Sequence, residues 1–200
     1  VLADAELMRL NLGVFILHAV QLAMWVALPA MLVQAGLAKD DHWQVYLPTV
    51  LASFIVLRAT LYPLERRGYL RAVFLASVGL IGLVQLGRLW TTSPSLAALS
   101  VLLFVFFCGF NILESCQPSM ASRAAPVHAR GTALGVFNTL QSLGFFAGGA
   151  LGGWLLRTQG AGGVFATCGA LMALWLAAAW PMRAPSRTVQ GAATPAGAAR

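Results

Sequence analysis

The chain has 200 residues, 59% of them hydrophobic and only 10% charged, with a mean hydropathy of +0.78. A soluble domain carries about 25% charged residues, so lipid rather than water is the expected solvent and the bilayer an expected partner. The net charge of +7 does not indicate nucleic acid, because most basic residues fall in short loops between apolar spans, with no basic face and no interleaved aromatic platform.

Six segments reach the roughly 20 residues that a membrane-spanning helix needs. The first is Leu10–Leu32. His18, Gln21 and Trp25 share one of its faces, and Pro29 interrupts it. Histidine titrates in the physiological range and is a candidate proton relay; a lone histidine also often serves only as an interhelical hydrogen-bonding group.

The second span, Trp43–Tyr62, contains Pro48 and one charge, Arg58. Arg58 is either a charge partner for a buried acid or a side chain that snorkels to the interface. A loop follows, Glu65-Arg66-Arg67-Gly68-Tyr69-Leu70-Arg71. An acid followed by arginine, with glycine two residues later, is more specific than basic bias requires. Such a segment can clamp a loop to a helix end. The third span, Ala72–Leu89, is featureless.

The fourth, Leu96–Met120, holds the one acid inside a long apolar stretch, Glu114. Phe107, Asn111, Glu114 and Pro118 recur at four-, three- and four-residue steps and so stack on one side. Lipid cannot solvate a carboxylate, so intramembrane acids mark ion or substrate pathways or pair for packing. Arg58 is the expected partner of Glu114.

The fifth span, Thr132–Leu156, carries a ladder of small residues. Gly144, Gly148 and Gly152 lie on one face, and Gly149 and Gly153 on the next. That spacing lets helices approach closely. Gly163–Trp180 forms the sixth span. The tail from 183 to 200, rich in Ala, Gly, Pro and Thr, is expected to be disordered.

Charge orients the bundle. Arg9, Arg66, Arg67, Arg71, Arg123, Arg130, Arg183, Arg187 and Arg200 fall on one side, and Lys39, Arg88 and Arg157 on the other. This asymmetry places both termini in the cytoplasm. Trp25, Trp43, Trp90 and Trp154 lie towards the opposite ends, as an interfacial belt would. Pro29, Pro48 and Pro118 mark bends or gating hinges, their freed backbone groups facing protein or a cavity.

No enzyme constellation is present: no serine–histidine elbow, no paired carboxylates at metal-ligand spacing and no phosphate-binding glycine loop. Cys108, Cys116 and Cys168 lie inside apolar segments and read as small buried hydrophobes. Neither a metal nor a cofactor is expected.

Several stretches resemble the C-terminal half of a major facilitator superfamily transporter of the bacterial drug:proton antiporter-like branch. They are His18 with Val26-Ala27-Leu28-Pro29, His42-Trp43-Gln44-Val45-Tyr46-Leu47, and Phe110-Asn111 through Glu114 to Pro118-Ser119. Gly131-Thr132-Ala133 with Gly135-Val136, Gln141, Gly144 and the glycine ladder to Trp154 is a further one. Glu65-Arg66-Arg67-Gly68 is similar to the second-half copy of the family's Asp-Arg-x-Gly loop motif, with Glu65 in place of the Asp. The motif's usual basic pair is replaced by Tyr69 and Leu70, and Arg71 restores one charge. The ladder is similar to the antiporter glycine motif but lacks its proline.

The resemblance implies an all-α membrane protein with twelve helices, of which this chain supplies six as a 3+3 inverted repeat over residues 1–182. It implies proton-coupled export of small lipophilic compounds by alternating access, in the bacterial inner membrane. The partners would be a small-molecule substrate, protons and an N-terminal six-helix half. Glu114 would carry the proton, with His18 auxiliary, Phe107 and Asn111 lining the cavity, and Arg58 holding the charged acid. Two alternatives remain at this point: a half-size transporter that dimerises or joins a separate half, and a non-transporting scaffold or receptor.

Overall fold

The computed structural model describes residues 4–89 and 95–182. Trp90, the connection 91–94 and the tail 183–200 lie outside the described residues. The chain forms α1 (Ala5–Gln34), α2 (Trp43–Arg66), α3 (Leu70–Leu89), α4 (Leu96–Ala124) and α5 (Arg130–Ala179). Single 3₁₀ turns at Lys39–Asp41 and Val127–Ala129 punctuate two connections. All five helices are long and apolar enough to cross a membrane, and no strand occurs among the described residues.

Local chemistry sets the helix ends. Asp4 caps α1, its Oδ1 accepting from the amides of Glu6 at 2.9 Å and Leu7 at 3.1 Å. This starts α1 at Ala5, five residues before the expected start at Leu10. At its far end Gly36 takes φ +94. The Gly36 amide donates to the Val33 carbonyl and the Leu37 amide to Leu32, both at 3.0 Å, which is the Schellman pattern. The same pattern ends α2: Gly68 has φ +85, with Gly68 N–H donating to Glu65 O and Tyr69 N–H to Leu64 O. A side chain at Gly68 would strain that backbone conformation. The glycine of the loop motif is therefore explained by helix termination. Helix α2 runs past its expected end at Tyr62, through Pro63, whose missing N–H removes one helical hydrogen bond and whose ring crowds the preceding turn. Its carbonyl still accepts from the Arg67 amide at 3.2 Å.

Helix α1 is the most buried of the helices, with Leu10, Val14, Leu17, Val20 and Met24 among its covered residues, while Met8, Leu12 and Val33 stay exposed. That is the pattern of a central helix. It packs against α4 and α5, while α3 packs against α4 and α5, and α2 chiefly against α4. Helix α2 is the least covered, leaving Leu47, Leu51, Phe54 and Ile55 exposed.

Helix α5 differs from expectation. The fifth and sixth spans are joined in one 50-residue helical element whose single break is Gly160, at φ 69, ψ −171. Element α5 is therefore two helices that meet at Gly160. The lack of a Cβ at Gly160 permits that conformation. Before the break, Gly144 lies against Phe15 and His18, Gly148 against Ala19, and Gly152 against Ala23. After it, Cys168 Sγ approaches the Val20 carbonyl at 3.9 Å, and the Trp175 ring lies against Gly13. Contacts climb α1 along one arm and descend it along the other. The two arms of α5 thus run in opposite directions along α1.

Candidate functional site

His18 sits near the middle of α1 and is 1% exposed. A buried imidazole needs partners for both nitrogens. Its Nδ1 lies 2.8 Å from the Val14 carbonyl one turn back. A carbonyl oxygen only accepts, so Nδ1 carries a hydrogen. Its Nε2 lies 2.9 Å from Glu114 Oε1 of α4 and 2.9 Å from Gln141 Nε2 of α5. Three helices therefore converge on one imidazole nitrogen. The ring is also held edge-on by Phe145 at 4.7 Å and Phe110 at 5.9 Å between centroids.

The burial of the pair is unequal. Glu114 keeps 36% of its side chain exposed while His18 keeps 1%. The carboxylate is thus the accessible end of the pair and the imidazole its buried end. With His18 neutral and Nδ1 protonated, Nε2 is an acceptor, and Gln141 donates to it. With a second proton on Nε2, the imidazolium donates to the Glu114 carboxylate, and Gln141 turns its amide oxygen towards the ring. The cluster can therefore hold an extra proton without leaving a charge uncompensated.

Glu114 meets His18 rather than Arg58, which was its expected partner. Arg58 is exposed on α2 and faces a groove with Tyr62, Pro63, Arg66 and Arg67. Depth matched for Arg58 and Glu114, but α2 turns that arginine away from α4.

The other expected site residues divide into two groups around α1 and α4. Asn111 Nδ2 donates to Ser53 Oγ of α2 at 2.7 Å, and Ser53 is fully buried. Trp25 stacks on Tyr46 with centroids 4.9 Å apart and meets Phe107 edge-on at 6.2 Å. Trp25 is thus packed inside the helix assembly, whereas Trp43 and Trp154 are exposed as belt residues would be. Gln21 Oε1 is buried without a hydrogen-bond partner among the described residues. Phe107, Trp25 and Tyr46 form an aromatic cluster, and His18, Glu114 and Gln141 a polar one.

The ladder glycines separate by role. A Cβ at Gly144 would come within 2.5 Å of the Phe15 carbonyl, and one at Gly152 within 2.6 Å of Ala23 Cα. One at Gly148 would overlap the Ala19 carbonyl. Gly149 would make only a 3.3 Å contact with Leu22, and Gly153 meets nothing within 4 Å. Close approach to α1 thus requires glycine at three of the five positions.

At the end of the bundle where α2 and α4 finish, Glu65 Oε1 accepts from Arg123 Nη2 at 2.7 Å. Arg123 also donates to Ser119 Oγ from Nε at 3.1 Å and from Nη2 at 2.7 Å. Arg71 Nε donates to the Met182 carbonyl at 2.7 Å, and its Nη2 donates to the Trp180 carbonyl. The loop motif thus makes two ties: Glu65 to α4 and Arg71 to the chain leaving α5. Arg66 is exposed.

Reasoning from residue faces passed over Tyr46, Ser53 and Arg123, and took Gln141 only as part of a resemblance. Gln141 had a usable signal: it precedes Gly144 by three residues, on the face that the ladder presses against α1. No group of three metal-ligating side chains occurs among the described residues.

Comparison with known proteins places this geometry in context. The sequence pattern of the Major Facilitator Superfamily matches residues 7–199. The chain is 37% identical over 185 residues to the inner membrane transport protein YajR of Escherichia coli (strain K12), covering 92% of this chain and 40% of that protein. It is 31% identical over 140 residues to the uncharacterized transporter BU466 of Buchnera aphidicola subsp. Acyrthosiphon pisum (strain APS), covering 70% of this chain and 36% of that one. The chain spans about two fifths of the length of these relatives.

Proposed function

The chain belongs to the Major Facilitator Superfamily, whose members are transporters and not enzymes, and we propose that it is the C-terminal half of a proton-coupled exporter of small lipophilic compounds. It is a multi-pass membrane chain, and in this reading the break at Gly160 divides α5 into two crossings. The opposite courses of its arms along α1 support that division. Six crossings then form a 3+3 inverted repeat, with both termini in the cytoplasm of a bacterium and an N-terminal half facing the site.

The observation that carries the reading is the 2.9 Å contact between buried His18 and half-exposed Glu114. A proton arrives at the accessible carboxylate and is shared with His18 Nε2. Loaded, the pair is neutral overall and costs little to enclose. Unloaded, the carboxylate faces an imidazole lone pair and needs water or a cationic substrate beside it. Enclosure therefore favours the loaded form, and opening permits the unloaded form. That difference couples proton binding to alternating access, because a proton shifts the equilibrium only by its differential affinity for the two states. The aromatic cluster of Phe107, Trp25 and Tyr46 offers flat apolar surface to a lipophilic substrate, and Asn111, held by Ser53, a polar edge.

The test uses the complete protein in proteoliposomes with an imposed proton gradient. Wild-type transport follows the gradient, whereas Glu114→Gln and His18→Ala fold normally but lose that dependence. Gradient-driven transport retained in both variants removes the pair from the mechanism. Transport indifferent to the gradient in the wild type overturns proton coupling itself.

A further inference from the structure

Four polar atoms are shut in between the second half of α1 and the start of α2. They are Gln21 Oε1, Trp25 Nε1, His42 Nε2 and Tyr46 Oη, each buried and without a hydrogen-bond partner among the described residues. Their side chains are neighbours. Trp25 stacks on Tyr46 with centroids 4.9 Å apart, and His42 meets Tyr46 edge-on at 6.1 Å. Gln21 precedes Trp25 by one turn of α1 and shares its face. The helices of this chain alone bury these atoms, so a further half packed alongside adds cover and not partners. A buried polar group without a partner is costly, and native proteins satisfy the great majority of them. Four such atoms in one cluster call for a common partner.

The atoms define the chemistry of that partner. The indole N–H only donates, and the Gln21 carboxamide oxygen only accepts. A group that serves both must accept one hydrogen bond and donate another through the same small atom. A hydroxyl does this. A carbonyl or ether oxygen cannot donate, an ammonium cannot accept, and a carboxylate leaves Gln21 unsatisfied. Tyr46 Oη and His42 Nε2 act in either sense, so they match whichever valence of the hydroxyl remains. The Tyr46 hydroxyl is itself of this kind but bonds to neither Trp25 nor Gln21. The stacked rings of Trp25 and Tyr46, with Phe107 edge-on to Trp25 at 6.2 Å, supply apolar surface beside the polar atoms.

We infer that Gln21, Trp25, His42 and Tyr46 form a binding site for one hydroxyl oxygen, supplied by a lipophilic alcohol or phenol or by a water molecule. An entering hydroxyl recovers the cost that the closed, unpaired cluster carries. The alcohol or phenol narrows the substrate class proposed above and rests on that reading. The site itself needs neither His18, nor Glu114, nor a proton gradient.

Equilibrium dialysis of the complete protein in nanodiscs tests the assignment, with uptake by empty nanodiscs subtracted and no gradient imposed. The probes are naphthol, whose hydroxyl donates and accepts, and methoxynaphthalene, whose ether oxygen only accepts. Wild type is expected to bind naphthol roughly tenfold more tightly than methoxynaphthalene. Trp25→Phe keeps a stacking ring and removes the donor, and is expected to abolish that preference while methoxynaphthalene binding holds. Should it fail to fold, Gln21→Leu removes the acceptor and is expected to do the same. A preference that survives in both folded variants overturns the site. Where wild type shows no preference, a crystal structure of the complete protein decides the source. An ordered water bonded to Trp25 Nε1 and Gln21 Oε1 supports the site with solvent as its occupant, and neither preference nor water overturns it. Transport indifferent to a proton gradient sinks proton coupling alone, because dialysis reads binding without one.

Discussion

Glu65 and Arg123 form a 2.7 Å ion pair that joins the last turn of α2 to the last turn of α4. Their side chains are 22% and 27% exposed, so solvent screening limits the strength of the pair. A double-mutant cycle of Glu65→Gln and Arg123→Gln, read by thermal unfolding, is expected to give a coupling of about 0.5–1 kcal/mol. Strict additivity would mean that the two side chains act independently. If the pair also holds one conformation during transport, charge exchange in Glu65→Arg/Arg123→Glu restores activity lost in each single reversal.

Gln141 completes the environment of His18. Replacing it by leucine removes the donor to Nε2 while keeping an apolar side chain of similar size. Gln141→Leu is expected to slow gradient-driven transport about tenfold, with thermal stability within about 1–2 kcal/mol of wild type. Transport at the wild-type rate would show that Glu114 alone sets the state of the imidazole.

The glycine ladder makes a prediction about position rather than composition. Gly148→Ala forces a methyl into the Ala19 backbone and is expected to destabilise by about 1–3 kcal/mol, as overpacking does. Gly153→Ala, with open space around it, should stay within about 0.5 kcal/mol of wild type. Equal effects at the two positions, measured by thermal unfolding in detergent, would contradict the packing described here.

The bond between Asn111 and Ser53 crosses from α4 to α2 in a buried setting. Asn111→Leu leaves Ser53 with only its bond to the Val50 carbonyl, at 2.6 Å. A loss of about 1–2 kcal/mol is expected, and adding Ser53→Ala to it should cost little more. A full additional loss in the double variant would place the two residues in separate interactions.

Much of the helical architecture was legible because lipid demands it. A chain this poor in charge can satisfy its backbone in a bilayer only by forming helices here, and apolar runs mark where. The stacking of Phe107, Asn111 and Glu114 followed from helical periodicity. What periodicity could not supply was the neighbour across each gap. Arg58 and His18 were both available to Glu114, and choosing between them needed the rotation of α2 against α4, which depends on packing throughout the core. Arg157 to Gly162 is polar and glycine-rich enough to suggest a loop, and the structure narrows that loop to the non-helical Gly160 with helix on either side. Gly68 and Gly36 were legible as turn signals, and the structure supplies the specific reason for each.

The opposed arms of α5 constrain how α1 can move. Sliding α1 along its axis by one turn would carry Ala19 off Gly148 and Gly13 off Trp175 in the same displacement. Both contacts survive only if α5 travels with α1 by the same distance, so the two helices keep one register. Helix α1 is therefore held against axial slip relative to α5. A displacement that opens the site around His18 while keeping these contacts carries α1 and α5 as a unit and moves them against α4, which bears Glu114.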